Sequence, residues 1–423
     1  MSRFPIITTV LAAMLALPAA AADTPGYFKV PGTDTSISLY GYVALDGTYD
    51  LLGTVPPQSA GISMYNTILD GPGTVPGAYP SQSYELSAQR SRFGFITTTP
   101  TDLGDLKVRI EGDFLGKSGG SGPSNRTDFR LRQAYGELGG FLVGQSDSLF
   151  VDPAAYPDIV DFDMAVGSWT TFTRWAQVRY TCHPSNNTVL AFSVEDPYTQ
   201  RNSGATTTNK DYSEFPNNVV GAFDYKDTWG HIGLRLAYQR FGYFTGQTST
   251  TPQVSFSDTS LSWVVSGNVK FGSDNLVYNV GRGSGNYGML FGTLGSASST
   301  GVIADGPQLN ATSSGYTGIV SPYQGGAGYT HVWTPKLRSN LILGEVKWNE
   351  DDSLGVNGNK VRKIDAIYLN TFINPTKSTT VGIEYERIQT HTFDDNTITY
   401  ADQSKHDGLT ESRIEVACTY KFF

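Results

Sequence analysis

The sequence predicts an all-β protein, a single antiparallel barrel of about sixteen strands that crosses a membrane, with one loop folded inward as a constriction. Three observations predict it. Strand-length segments recur in which apolar and polar residues alternate with a period of two. Their connections alternate between tight turns and long polar loops, the layout of a transmembrane barrel. Residues 1–22 read as a secretory leader, so the mature chain is expected outside the cytoplasm.

The leader has Arg3 near its start, an apolar stretch from Ile6 to Leu17, then Pro18 and an alanine tract, with cleavage expected at or beside Ala22. Residues 23–423 then read as one domain, because no linker or break in composition divides them. Strands are expected over 36–50, 83–98, 104–115, 129–138, 141–145 and 175–180. Others follow over 187–194, 219–227, 230–244, 261–271 and 275–283. The last five are 324–333, 337–348, 361–372, 379–388 and 411–423. Tight turns are expected at 99–103, Gly139-Gly140, His183-Pro184-Ser185, 227–230, 272–274, 334–336 and 374–377. Long polar loops fall at 52–82, 116–127, 195–218, 245–260, 284–323, 349–360 and 389–410. No internal repeat suggests a propeller or solenoid, and no long apolar run after the leader suggests membrane helices.

The faces assign lumen and lipid. Ile232, Leu234, Leu236 and Tyr238 oppose His231, Gly233, Arg235 and Gln239. Ile414, Val416, Cys418, Tyr420 and Phe422 oppose Arg413, Glu415, Thr419 and Lys421. On the strand from Phe129, the residues Phe129, Leu131 and Tyr135 read as the apolar face, against Arg130, Arg132, Ala134 and Gly136. The wet faces of the early strands carry Arg90, Arg92, Arg109, Arg130, Arg132 and Arg179. An acidic, proline-punctuated excursion follows the fifth strand with Asp147, Asp152, Asp158, Asp161 and Asp163. If it folds inward, its carboxylates would face a basic wall and favour anionic, carboxylate-bearing solutes. The same arginines would equally serve to pair with loop acids and with Glu111 and Asp113.

Composition excludes other classes. A net charge of −9 argues against a nucleic-acid partner. The two cysteines, Cys182 and Cys418, are too few for a disulfide scaffold, and both fall on outward positions of strands far apart in order. His183, His231, His331, His391 and His406 are scattered without metal-ligand spacing, so neither metal nor cofactor is expected. No GxSxG elbow or Ser/His/Asp constellation appears, and no catalytic residue is assigned. Glu384 and Glu386 share a wet face as a carboxylate pair would, but read as lumen charge.

Three stretches carry a resemblance. Gly26-Tyr27-Phe28-Lys29-Val30-Pro31-Gly32-Thr33-Asp34-Thr35 leads into the strand Leu39-Tyr40-Gly41-Tyr42-Val43-Ala44-Leu45-Asp46. Gln89-Arg90-Ser91-Arg92-Phe93-Gly94-Phe95 is the second. The third is Phe141-Leu142-Val143-Gly144-Gln145, leading into Asp152-Pro153-Ala154-Ala155-Tyr156-Pro157-Asp158. With these the N-terminal half resembles the DcaP-like outer-membrane porins, associated with dicarboxylate and phthalate uptake. The resemblance implies a homotrimer of sixteen-stranded barrels set in outer-membrane lipid and lipopolysaccharide. It implies a constriction loop after the fifth strand, and arginines that meet a substrate's carboxylates. Two departures are expected. Asp23 to Tyr27 leaves no room for the helical segment that many members carry before the barrel, so a trimer would rest on the barrel walls. The outward register fits Phe422 better than the terminal Phe423. Passive diffusion of small mono- or dicarboxylates is the function implied. A weakly selective general porin, a barrel enzyme acting on outer-membrane lipid and a soluble glycan-binding β protein are the alternatives.

Overall fold

The computed structural model describes residues 26–52, 84–116, 128–161, 174–196, 210–212, 218–244, 255–283, 307–309, 316–319, 321–347, 361–392, 397–399, 405–407 and 410–422. The leader, Asp163 and Phe423 lie outside the described residues, as does most of each long loop.

Sixteen long strands form one closed sheet. They are β1 (Ser36–Leu52), β2 (Arg92–Thr101), β3 (Gly104–Gly116), β4 (Asp128–Leu138), β5 (Phe141–Asp147) and β6 (Arg174–Ser185). Next come β7 (Thr188–Asp196), β8 (Asn218–Asp227), β9 (Gly230–Phe244), β10 (Ser255–Phe271) and β11 (Asp274–Arg282). The last are β12 (Tyr323–Thr334), β13 (Leu337–Lys347), β14 (Val361–Thr376), β15 (Thr379–Thr392) and β16 (Thr410–Phe422). Each pairs antiparallel with the next. The ring shuts where β16 pairs with β1, from Gly41 opposite Phe422 to Leu52 opposite Ser412. Closure leaves no raw edge, which is what lets a sheet sit in hydrocarbon.

One rim is made of two-residue turns at 102–103, 139–140, 186–187, 228–229, 272–273, 335–336 and 377–378. At Gly139 and Gly140 both φ values are positive, 58° and 87°, the geometry of a twist-matched hairpin that only glycine adopts freely. The outer wall carries exposed Leu234, Leu236, Leu341, Leu343, Ile367, Leu369, Ile383 and Val416. Phe141, Trp229, Phe271 and Trp333 are exposed beside the tight turns, as an interfacial aromatic girdle requires. Phe422 keeps the outward register, its ring lying over Gly41, where a Cβ would sit 2.3 Å from it. Cys182 and Cys418 are free thiols.

Three local departures from simple alternation matter. The expected second strand is broken: Tyr84–Ser87 pairs with the upper part of β1, and Gln89-Arg90 turns before β2 begins. The expected turn at His183-Pro184-Ser185 lies inside β6, which runs on to a turn at Asn186-Asn187. Pro184 donates no N–H, and it falls where the register shifts between Cys182 and Ser185. The third departure is a bulge in β4. Leu131 pairs with Gly112 and Gln133 with Glu111, so Arg132 is an extra residue. The side-chain amide of Gln145 donates to the carbonyls of Leu131 and Arg132, at 3.2 and 3.3 Å, and satisfies the kinked backbone. Beyond the bulge the faces exchange. Tyr135 pairs with Arg109 and joins the lumen side, whereas Ala134 pairs with outward Ile110. Strict alternation had placed both on the opposite faces.

Candidate functional site

One sector of the lumen, built by β1 to β6, is basic. Alternate residues of β3 put Arg109, Glu111 and Asp113 on one face, and the β4 bulge puts Arg130, Arg132 and Gln133 beside them. Glu111 takes Arg109 at 2.6 Å, Arg132 at 3.1 Å and Arg92 at 3.4 Å. Asp113 takes Arg132 at 2.7 Å and Arg130 at 2.8 Å. The Tyr40 hydroxyl accepts from Arg109 at 2.8 Å and donates to Glu111 at 3.0 Å. The Arg92 and Arg109 guanidiniums sit over the rings of Tyr42 and Tyr40, at 5.5 and 5.3 Å. Aromatic faces and shared carboxylates thus hold four like charges together.

The sequence-predicted arginines divide by access. Arg109 and Arg130 keep 32% and 31% of their side chains exposed, and Arg92 keeps 21%. Arg132 is buried at 5%, so it braces the acids from behind. Arg90 lies in the turn before β2 and forks onto Asp46 of β1, a closed pair. Arg179 donates to the Gln177 side chain at 2.9 Å and to the carbonyl of Asp147. Sequence reasoning passed over Arg174, which meets Asp147 at 3.0 Å. Its position at the head of β6 was the available signal.

The acidic excursion does fold inward, but its carboxylates do not all face that basic sector. Asp147, at its root, stays there, with Arg174 at 3.0 Å and the Gln133 amide at 2.9 Å. From Ser148 the chain follows the opposite wall and fastens to successive strands. Glu195 of β7 accepts from the Ser148 hydroxyl at 2.7 Å and the Leu149 N–H at 2.8 Å. Asp152 reaches β9 and β10, bonding His231 at 2.9 Å and Ser266 at 2.5 Å, with Arg235 at 3.7 Å. Asp158 pairs with Arg338 of β13, and its carbonyl accepts from Asn370 of β14 at 2.9 Å. Glu384 of β15 accepts from the N–H groups of Val160 and Asp161 at 3.3 and 2.9 Å. Val160 packs on Phe372 and Ala417, in space left by Gly382. The acids expected to oppose the arginines therefore mostly anchor the loop to the wall behind it. Asp163 lies outside the described residues.

Burial alone would raise the Asp152 carboxyl. The His231 hydrogen bond, the Arg235 charge and Ser266 outweigh it and hold the group down at about 2. Tyr156 goes the other way: burial first, then the charge of Asp147, push its hydroxyl well above the usual range. Glu384 and Glu386 share the inward face as expected, but both are fully buried under the loop and do not line open water. Arg235, Arg338 and Arg413 are the partners that sequence reasoning assigned no role. The wet-face pattern marked Arg235 and Arg413, but nothing local named their partners.

With this geometry in place, the comparisons with known proteins have a definite meaning. Residues 20–203 match the family model of the DcaP outer membrane protein. The N-terminal part of the chain is thus similar to that family. Over 221 residues the chain is 28% identical to porin Omp2b of Brucella abortus, covering 50% of this chain and 54% of that one. The chain thus spans about half the length of the curated relatives it matches. The outer-membrane channel DcaP of Acinetobacter baumannii superposes with a TM-score of 0.68 at 19% identity, covering 93% of this chain and 99% of that one. An anion-selective porin from Comamonas acidovorans superposes with a TM-score of 0.53 at 13% identity, over 92% and 100%. These two likenesses show a shared fold. The proteins it is similar to are porins and channels.

Proposed function

We propose that this DcaP-like barrel lets small anionic solutes, mono- or dicarboxylates, diffuse passively across the outer membrane. The observation that carries the reading is the charge of one lumen sector. Arg92, Arg109, Arg130 and Arg132 there share Glu111 and Asp113, and Arg174 pairs with Asp147. The excess is positive, and its more exposed members, Arg109 and Arg130, are the groups a solute carboxylate would touch. Asp147 remains as the loop acid within reach of this sector, and the anchored loop narrows the opening from the other side.

The working unit in this reading is a homotrimer embedded in lipid and lipopolysaccharide, and the leader is removed during export. A general porin with weak selectivity is the second reading. It is favoured by the closeness of the arginine–carboxylate pairs, which mute the field that a passing ion feels. Planar-bilayer recording of the detergent-purified protein separates the two. Three-step conductance, a reversal potential that favours anions under a salt gradient, and block by an aliphatic or aromatic dicarboxylate are the expected result. Cation preference with indifference to dicarboxylates would overturn the carboxylate assignment and leave a general pore.

A further inference from the structure

Beneath the end of the described part of the loop lies a group of three carboxylates. Asp161 of the loop, Glu386 of β15 and Glu415 of β16 each offer an oxygen, and the three oxygens lie within 4.8 Å of one another. All three residues are buried, at 3%, 0% and 2% exposed. Two oxygens bound to one calcium ion at about 2.4 Å can be at most about 4.8 Å apart, so the spacing is that of ligands around a single ion.

A cluster of acids alone would prove little, since carboxylates also gather where arginine neutralises them. Here the neutralisation falls short. Both oxygens of Glu386 and Oε1 of Glu415 are enclosed with no hydrogen-bond partner among the described residues. One nearby cation is Arg413, whose Nε lies 2.6 Å from Asp50 but 3.9 Å from Glu386. Arg413 is thus already engaged by a fourth carboxylate, and Arg90, whose charge also reaches Glu415, is forked onto Asp46. Glu384 takes no part, because the N–H groups of Val160 and Asp161 and the Asn370 amide occupy it, at 3.3, 2.9 and 2.7 Å. By gripping the Asp161 N–H, Glu384 fixes the backbone from which the Asp161 side chain reaches the cluster.

We propose that Asp161, Glu386 and Glu415 bind a divalent cation of the calcium type, which pins the constriction loop to the seam between β15 and β16. Hard, oxygen-only donors of high charge, without histidine or cysteine, suit calcium over zinc. Magnesium, which demands a smaller and near-octahedral shell, binds more weakly. The site is independent of which solute passes, since its carboxylates are enclosed beneath the loop.

The test is calorimetric titration of CaCl2 into full-length, lipopolysaccharide-free, chelator-treated protein at neutral pH. Melting and single-channel records would be taken with and without the ion. One calcium per chain is expected, at or below about millimolar concentration, with a rise in melting temperature and quieter open-channel current. Glu386→Gln and Glu415→Gln each keep the volume, remove a buried charge and should weaken binding at least tenfold. They should also abolish the calcium effect on the current. Asp105→Asn, at an exposed position of the turn-side rim, should change neither. Absence of saturable binding to the folded protein would overturn the proposal and leave the carboxyls neutralised by protons. Undiminished binding in the Glu386→Gln/Glu415→Gln double variant would overturn it too, by moving calcium elsewhere.

Discussion

Arg130 and Arg132 stand two positions apart on β4 and do different work. Arg130 meets Asp113 yet stays open to the lumen; Arg132 is enclosed between Glu111 and Asp113. Removing Arg130 takes a charge from the passage. At about 5 Å in water one charge is worth about 1 kcal/mol, or roughly fivefold in permeability. Arg130→Ala should therefore lower the anion-to-cation permeability ratio several-fold, measured by reversal potential, without loss of the folded barrel. Arg132→Ala should instead leave two buried acids short of a partner and cost about 3 kcal/mol in stability, read as a lower melting temperature. Asp152 gives a pH signature. Its carboxyl sits at about 2, below its ordinary 3.8, so its contribution to anchoring is complete above about pH 4 and lost as pH falls through 2. Channel noise recorded from pH 5 downward should rise only below about pH 3. In Asp152→Asn that rise should be present at neutral pH.

At the scale of the element, the loop from Ser148 to Asp161 is held by contacts distributed along its length. Its closest fit is at Gly382, where a Cβ would meet Phe372 at 2.6 Å and Val160 at 2.8 Å. Gly382→Ala should push Val160 off the wall, cost about 2 kcal/mol by overpacking and loosen the Glu384 bonds, giving larger and less steady conductance. Most strands were legible in the sequence, because a period of two recurs along them, although Pro184 marked a turn where the strand runs on. The β4 bulge was not: nothing in Leu131-Arg132-Gln133 marks the extra residue, which depends on the pairing with Glu111 and Gly112 and on Gln145. The loop's inward course was legible from its proline and acid content and from its family resemblance. Its anchors were not, since Asp152 finds His231, and Asp158 finds Arg338, only through the curvature of the whole sheet.

Across the whole molecule, charge is sorted and not merely summed. The net −9 describes the chain and misleads about the lumen, where arginines crowd the sector from β1 to β6 and buried glutamates the sector at β15 and β16. The arginine sector could be foreseen because its members sit close together in sequence. The glutamate sector could be foreseen in part, since Glu384 and Glu386 share a face in the sequence, but Asp161 and Glu415 meet only in the folded barrel. That closure has a further consequence for how the chain is made. Gly41 and Phe422 are partners from opposite ends, so the ring cannot shut until the last strand has arrived. The loop's hydrogen-bonded and ion-paired anchors on β7, β9, β10, β13 and β15 precede that strand, which adds Ala417 against Val160 last. The open, curling sheet can therefore take up its own plug, and the final strand seals the vessel around contents already in place.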